Sequence, residues 1–230
     1  MKRISQSIFL PCLVLASLSP LLADTASERL QESAVVLKEI LSAPVQGIPR
    51  DLLNEAHCVV VIPAMKSAAF LVGGKYGRGF VVCRQDARAG WGAPASVRME
   101  GGSFGFQIGA SETDVVMLVM NQRGMDKLLQ SKFTLGGAAE VAAGPVGRSS
   151  TAQTDAKMTA KILSYSRSRG VFAGVSLQGA TLRQDLDENQ ELYGRRLTNK
   201  QIVMKRMKAP AAASELLAVL NLHFRHETGH

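Results

Sequence analysis

Aromatic residues are scarce in this sequence: one tryptophan, three tyrosines and eight phenylalanines make up 5% of 230 residues. No basic run is interleaved with stacking rings, so the platform that holds single-stranded nucleic acid is missing and no nucleic-acid partner is expected. Catalytic patterns are lacking too. There is no serine elbow, no cysteine and histidine set in a family pattern, and no carboxylate cluster suited to acid/base work. The string GKYGRG holds Gly74, Gly77 and Gly79 at the wrong spacing for a dinucleotide fingerprint, and no helix follows. GPVGRSS lacks the lysine of a phosphate-binding loop. His223, His226 and His230 close the chain with too few ligands for a metal shell, and His57 has no acid, base or nucleophile partner in the pattern. The acidic stretch DLDENQELYG, with Asp185, Asp187, Glu188 and Glu191, reads as a solvated loop in which Asp187 and Asn189 form turns, in preference to a cation site. The sequence therefore predicts no catalytic residue, no metal and no cofactor, and hence no enzyme.

What is present begins with a leader. Lys2 and Arg3 precede an apolar run, Ile8 to Leu22, that ends near Ala23, which is the layout of a secretory signal peptide. Residues 1–23 are assigned to it and 24–230 to one domain, since Pro11 and Pro20 oppose a stable spanning helix. Cys12, preceded by Pro11 and followed by further apolar residues, belongs to the leader and not to a lipoprotein signal. The mature protein is thus expected in the periplasm or attached to the cell envelope. Its formal charge of +8 falls by two, to +6, when Lys2 and Arg3 are removed, and a basic surface favours anionic partners. Cys58 and Cys83 each adjoin a β-branched run. An oxidising compartment permits a disulfide between them, and two buried reduced thiols fit the sequence equally well.

The domain opens with an amphipathic helix in which Leu30, Ala34, Leu37 and Leu41 recur at helical spacing, widened by Val36 and Ile40. Its polar side carries Glu28, Arg29, Glu32, Lys38 and Glu39, a mixture that favours packing on a core over lying on a membrane. A short helical turn follows at 50–56. From Cys58 to Leu118 the texture becomes β: CVVVI, AAFLVGG, GFVVCR, ASVRMEG, SFGFQIG and DVVMLVM alternate with turn signals. Consecutive apolar positions in these runs predict strands covered on both faces or wound into a barrel-like core. GGKYGRG is read as a hairpin, and Pro63 and Pro94 as marks of run edges. A short helix around Met125 to Leu129, a strand at FTLGG, two strands in ILSYSRSRGVFAGVSLQGATL and two C-terminal helices complete the chain. The fold class is therefore α+β: a glycine-rich, mainly antiparallel β core, barrel-like or sandwich, with N-terminal and C-terminal helices packed on it.

Four segments in this order, KSAAFLVGGKYGRGFVVCR, GWGAPASVRMEGGSFGFQIGASETDVVMLVMN, FTLGGAAEVAAGPVGR and SYSRSRGVFAGVSLQGATLRQDLDENQELYG, closely resemble the SYLF family, and the resemblance runs from about Leu30 to about Leu220. Gly92 stands where the family usually has serine, and Leu192 and Tyr193 where it has an aromatic pair. The resemblance implies a lipid-binding module, known in eukaryotes from endocytic adaptors that bind phosphoinositides and, in fungi, actin filaments. It also implies that bacterial exported members exist as stand-alone domains. Neither actin nor a phosphoinositide fits an exported bacterial protein, so anionic phospholipid headgroups are the expected counterpart. The candidate lipid-binding residues are Lys66, Lys75, Arg78 and Arg84 on and beside the glycine hairpin, with Arg148, Arg167 and Arg169 further along. Each of these also fits an ordinary surface or structural role. The alternative function is a non-catalytic structural or protein-interaction domain contacting an envelope protein through its small-residue surface and C-terminal helices. Neither lipid identity nor oligomeric state is legible in the sequence.

Overall fold

The computed structural model describes residues 25–42, 47–70, 72–86, 90–104, 109–136, 141–146, 160–168 and 171–223. Helix α1 (Ala26–Ser42) starts at a reciprocal cap: Glu28 N donates to Thr25 Oγ1 at 3.2 Å, and Thr25 N donates to Glu28 Oε2 at 2.8 Å. α2 (Arg50–Glu55) follows Pro49, whose missing N–H costs nothing at a helix start. Then come β1 (Cys58–Phe70), β2 (Val72–Asp86), β3 (Gly90–Trp91), β4 (Ala95–Phe104) and β5 (Gly109–Val119). α3 (Gln122–Leu128) precedes β6 (Lys132–Thr134), β7 (Val141–Ala143), β8 (Ile162–Ser168), β9 (Val171–Gly174) and β10 (Thr181–Gln184). The chain ends with α4 (Leu186–Tyr193), α5 (Asn199–Met204), a 3₁₀ turn (Ala211–Ala213) and α6 (Ser214–His223).

The strands form one curled sheet in the order β6-β10-β4-β2-β1-β5-β8-β7, with β3 on β2 and β9 on β8. Every pairing is antiparallel except β7 with β8. The expected α+β class and helix placement hold, and the consecutive apolar residues find their reason. In β1, Cys58, Val60 and Ile62 face α3 and α5, while Val59 and Val61 face α1, α2 and α6. Both faces are cores, so both parities of the strand must be apolar. Leu30, Leu37 and Ile40 of α1 are fully buried on the second face, each stabilising the fold by about 2 kcal/mol. That helix is committed to the core.

The GGKYGRG segment is not a hairpin. It lies inside β2 with partners on both sides, Gly74 opposite Ala68 and Gly102, and Lys75 opposite Ser67 and Gly101. Its glycines serve close packing: a Cβ on Gly79 would sit 2.0 Å from the Val61 carbonyl oxygen. The approach occurs where the β1–β2 register slips between Val61 and Lys66. Pro63 lies within β1 at this irregularity, where an N–H is not missed, and Ala64 adopts φ +48° with its N–H donated to Asp114 Oδ1 at 2.9 Å.

DLDENQELYG is likewise no solvated loop. Asp185 caps α4, accepting from Glu188 N at 3.3 Å, and Gly194 ends the helix at φ +69°. Asp185, Glu188 and Asn189 are buried. Asn189 accepts from Ser96 N at 2.8 Å and donates to the Leu197 carbonyl at 2.9 Å and to Asn199 Oδ1 at 2.8 Å, locking α4 to β4 and α5.

Candidate functional site

The structure brings together two of the seven candidate lipid-binding residues. Lys66 on β1 and Lys75 on β2 both line a cleft of about 560 Å³, with Ser67, Ala68, Gly74, Tyr76, Ala110 and Ser111 and with one carboxylate, Glu112 of β5, against the two ammonium groups. Lys66 stands opposite Tyr76 and Glu112, and Lys75 opposite Ser67, so alternation along the strands starts the two lysines on opposite faces of the ribbon. The cleft is walled mostly by apolar atoms of small residues, and Tyr76 beside it is 48% exposed. A shallow apolar surface rimmed by ammonium groups suits an amphipathic ligand better than a small polar one.

Arg78, Arg84 and Arg167 go elsewhere, each into an internal role. Arg78 Nη2 is 2.8 Å from Asp185 Oδ2 and its Nε donates to the same oxygen at 2.9 Å, with Glu188 Oε2 at 3.9 Å. Burial alone would lower its pKa, but Asp185 and Glu188 outweigh that and shift it upward. Arg84 donates its Nε to the Ala56 carbonyl at 3.0 Å and stacks over Trp91 at 4.6 Å from the ring centroid, tying the end of α2 to β2. Burial lowers its pKa. Arg167 donates its Nε to Asp114 Oδ2 at 2.7 Å and also contacts Glu39, pinning β8 to β5 and α1. Arg148 and Arg169 lie outside the described residues.

Three basic residues escaped the sequence reading. Arg98 of β4 pairs in register with Arg78, Arg183 of β10 with Arg98, and Lys132 of β6 with Arg183. Each is alone in its strand, so only the register reveals the row. The sole sequence signal is that each occupies a position alternating with buried Val97, Met99, Leu182 and Phe133.

Cys58 and Cys83 stand directly opposite each other in β1 and β2 and are joined by a disulfide. Among the described residues, no group of three or more His, Cys, Asp or Glu could hold a metal ion, and no helix is long and apolar enough to cross a membrane.

The described residues thus form a curled, mostly antiparallel sheet with helices packed on it and a surface cleft at strands β1, β2 and β5. Residues 100–223 match the family described as Las17-binding protein actin regulator, Ysc84. The chain belongs to this family, the one that carries the SYLF domain. It is similar to an SH3 domain-containing protein of Schizosaccharomyces pombe, with 37% identity over 177 residues covering 76% of this chain and 41% of that protein. Protein YSC84 of Saccharomyces cerevisiae is 34% identical over 188 residues, 80% of this chain and 40% of its own. Human SH3 domain-containing YSC84-like protein 1 is 30% identical over 210 residues, 88% of this chain and 60% of its own. The chain thus spans less than two thirds of the length of these relatives. The family's description names Las17 binding, and so does the name of LAS seventeen-binding protein 3 of Saccharomyces cerevisiae, 35% identical over 178 residues, 76% of this chain and 38% of its own.

Proposed function

We propose that this protein is a non-catalytic module that binds anionic phospholipid headgroups at a membrane surface of the cell envelope. The observation that carries the reading is the apolar-walled cleft rimmed by Lys66 and Lys75, with the half-exposed ring of Tyr76 at its side. Ammonium groups near an anionic leaflet contribute about 1 kcal/mol each, and an amphipathic aromatic settles at the headgroup level. The net positive charge supports the same partner. Export after removal of residues 1–23 is part of the proposal, and the Cys58–Cys83 disulfide supports it, because such bonds persist in oxidising compartments. α1 contributes through the core and not by insertion, since its apolar side is already buried.

Co-sedimentation tests this with phosphatidylcholine vesicles, with and without phosphatidylglycerol, at low and high salt. Binding only to the anionic vesicles, weakened by salt and by Lys66→Gln with Lys75→Gln, is the expected outcome. Equal recovery with neutral and anionic vesicles contradicts it.

A second reading is a protein-binding domain, favoured by the Las17-binding description of the family. On that reading an envelope protein takes the place of the membrane. Capture of the same protein from envelope extract by the wild type and by the Lys66/Lys75 double variant, with no vesicle binding by either, is its signature.

A further inference from the structure

The row of basic residues across β4, β10 and β6 lies on the same face of the sheet as Lys66 and Tyr76. In β4 the alternation puts Val97 and Met99 into one core and turns Arg98 and Glu100 the other way. β10 does the same with Leu182 against Thr181 and Arg183, and β6 with Phe133 against Lys132 and Thr134. Next to the basic row runs a second register row, Lys66–Tyr76–Glu100–Thr181–Thr134, so the proposed cleft and the arginines share one continuous surface.

Glu100 organises this surface. Its Oε1 is 3.0 Å from Arg98 Nε and its Oε2 is 3.0 Å from Arg183 Nε. One carboxylate therefore accepts a hydrogen bond from Arg183 Nε and lies at ion-pair distance from Arg98 Nε, which is buried and makes no hydrogen bond, and the terminal amino groups of both arginines have no partner among the described residues. Both arginine side chains are 36% exposed, and Lys132 beside them is exposed. Three cations stand against one anion, with the hydroxyls of Thr134 and Thr181 3.2 Å apart alongside. Strands spaced about 4.8 Å apart set these groups in a shallow array, not a pocket. Planar forks of donors at that spacing suit the phosphates of an extended anionic surface. Arg78, fourth in the row, is committed to Asp185 and is left out.

We propose that Arg98 and Arg183, bridged by Glu100, and Lys132 beside them are a second phosphate-contacting surface, on which the anionic bilayer rests while Lys66 and Tyr76 engage it at the cleft. This rests on the membrane reading above and adds which face of the molecule lies against the lipid.

Dissociation constants of the full chain for phosphatidylcholine vesicles containing phosphatidylglycerol test it. The variant Arg98→Gln/Arg183→Gln/Lys132→Gln is expected to bind about 100-fold more weakly, each basic residue near an anionic surface counting for about fivefold. Glu100→Gln removes the one negative charge in the patch and is expected to bind about fivefold more tightly. Thermal melts show whether the triple variant folds. If it does not, Arg183→Gln and Lys132→Gln taken singly carry the test, at about fivefold each. Wild-type affinity in the triple variant, with loss in the Lys66/Lys75 variant, overturns this inference and leaves the membrane reading standing. Unchanged affinity in Glu100→Gln also counts against it. Unaltered vesicle binding together with loss of an acidic protein captured from envelope extract assigns the patch to a protein and overturns it. A wild type that ignores anionic vesicles removes the membrane reading itself.

Discussion

Arg29 of α1 and Glu188 of α4, 159 residues apart in sequence, form a buried ion pair in which the side chains are 10% and 1% exposed. Around them Ala26 N donates to Glu191 Oε1 at 3.0 Å and Arg78 reaches Asp185, so the N-terminal helix is fastened to the C-terminal part of the domain through polar contacts as well as through its apolar face. The amphipathic pattern placed Arg29 on the solvent side of α1. The structure turns it inward because a buried carboxylate is waiting for it.

Arg29→Ala is expected to cost about 3 kcal/mol, since it leaves Glu188 buried without its closest counter-charge. Glu188→Gln is expected to cost less, because the amide keeps an acceptor for Arg29 and carries no charge to bury. Urea denaturation of the two variants gives the order directly, and the reverse order contradicts the assignment.

The same carboxylate gives the pH dependence its sign. Burial raises the Glu188 pKa, against the opposing pull of Arg29 and Arg78, and burial likewise raises that of Asp114, opposed by the N–H of Ala64. A carboxyl whose folded pKa lies above its unfolded value gives its full stability below the unfolded value and loses it as pH rises through the folded one. The stability of the wild type relative to Glu188→Gln is therefore expected to fall as pH rises above the ordinary carboxyl range, from about pH 4 upward. A wild type that gains on the variant over that window contradicts the direction.

The disulfide closes a loop of 25 residues between neighbouring central strands, with both sulfurs buried. The pair Cys58→Ala/Cys83→Ala is expected to lose about 3 kcal/mol. Protein purified from an exporting host is expected to show no reactive thiol at either position, even after unfolding without reductant. Labelling of both cysteines under those conditions contradicts the bond.

Two glycines of one motif separate packing from turn formation. Gly79→Ala forces a methyl against the Val61 carbonyl and is expected to destabilise by about 2 kcal/mol or more, whereas at Gly74 a Cβ meets nothing within 4 Å. Gly74→Ala is expected to stay within about 0.5 kcal/mol of the wild type. Melting temperatures decide, and equal loss in both variants contradicts the placement of the motif inside β2.

That motif also marks where the sequence stops being readable. The helices were legible because their signals are local: Thr25 with Glu28 and Thr198 with Gln201 are capping boxes spelled out three residues apart. The central strands β1 and β5 were legible because both of their faces are apolar. GGKYGRG was not, since a missing Cβ serves a turn and a close approach equally, and only the partner strand tells them apart. DLDENQELYG was not, because what buries Glu188 is Arg29, far off in the chain. Of the candidate site, Lys66 and Lys75 were legible only as members of a larger group with Arg78 and Arg84, and strand pairing is what sets the two at one cleft. Arg78, Arg84 and Arg167 were legible as cations but not as members of internal contacts, and the Arg98–Arg183–Lys132 row exists only through strand register.

The most direct measurement is the emission of a Tyr76→Trp variant titrated with vesicles, because position 76 sits on the proposed lipid-facing surface and the native Trp91 is buried. A blue shift on adding phosphatidylglycerol vesicles, reversed by salt and absent with phosphatidylcholine alone, is the expected result. A protein that sediments with the anionic vesicles while position 76 keeps its aqueous emission contradicts the site, and one that does not sediment at all contradicts the function.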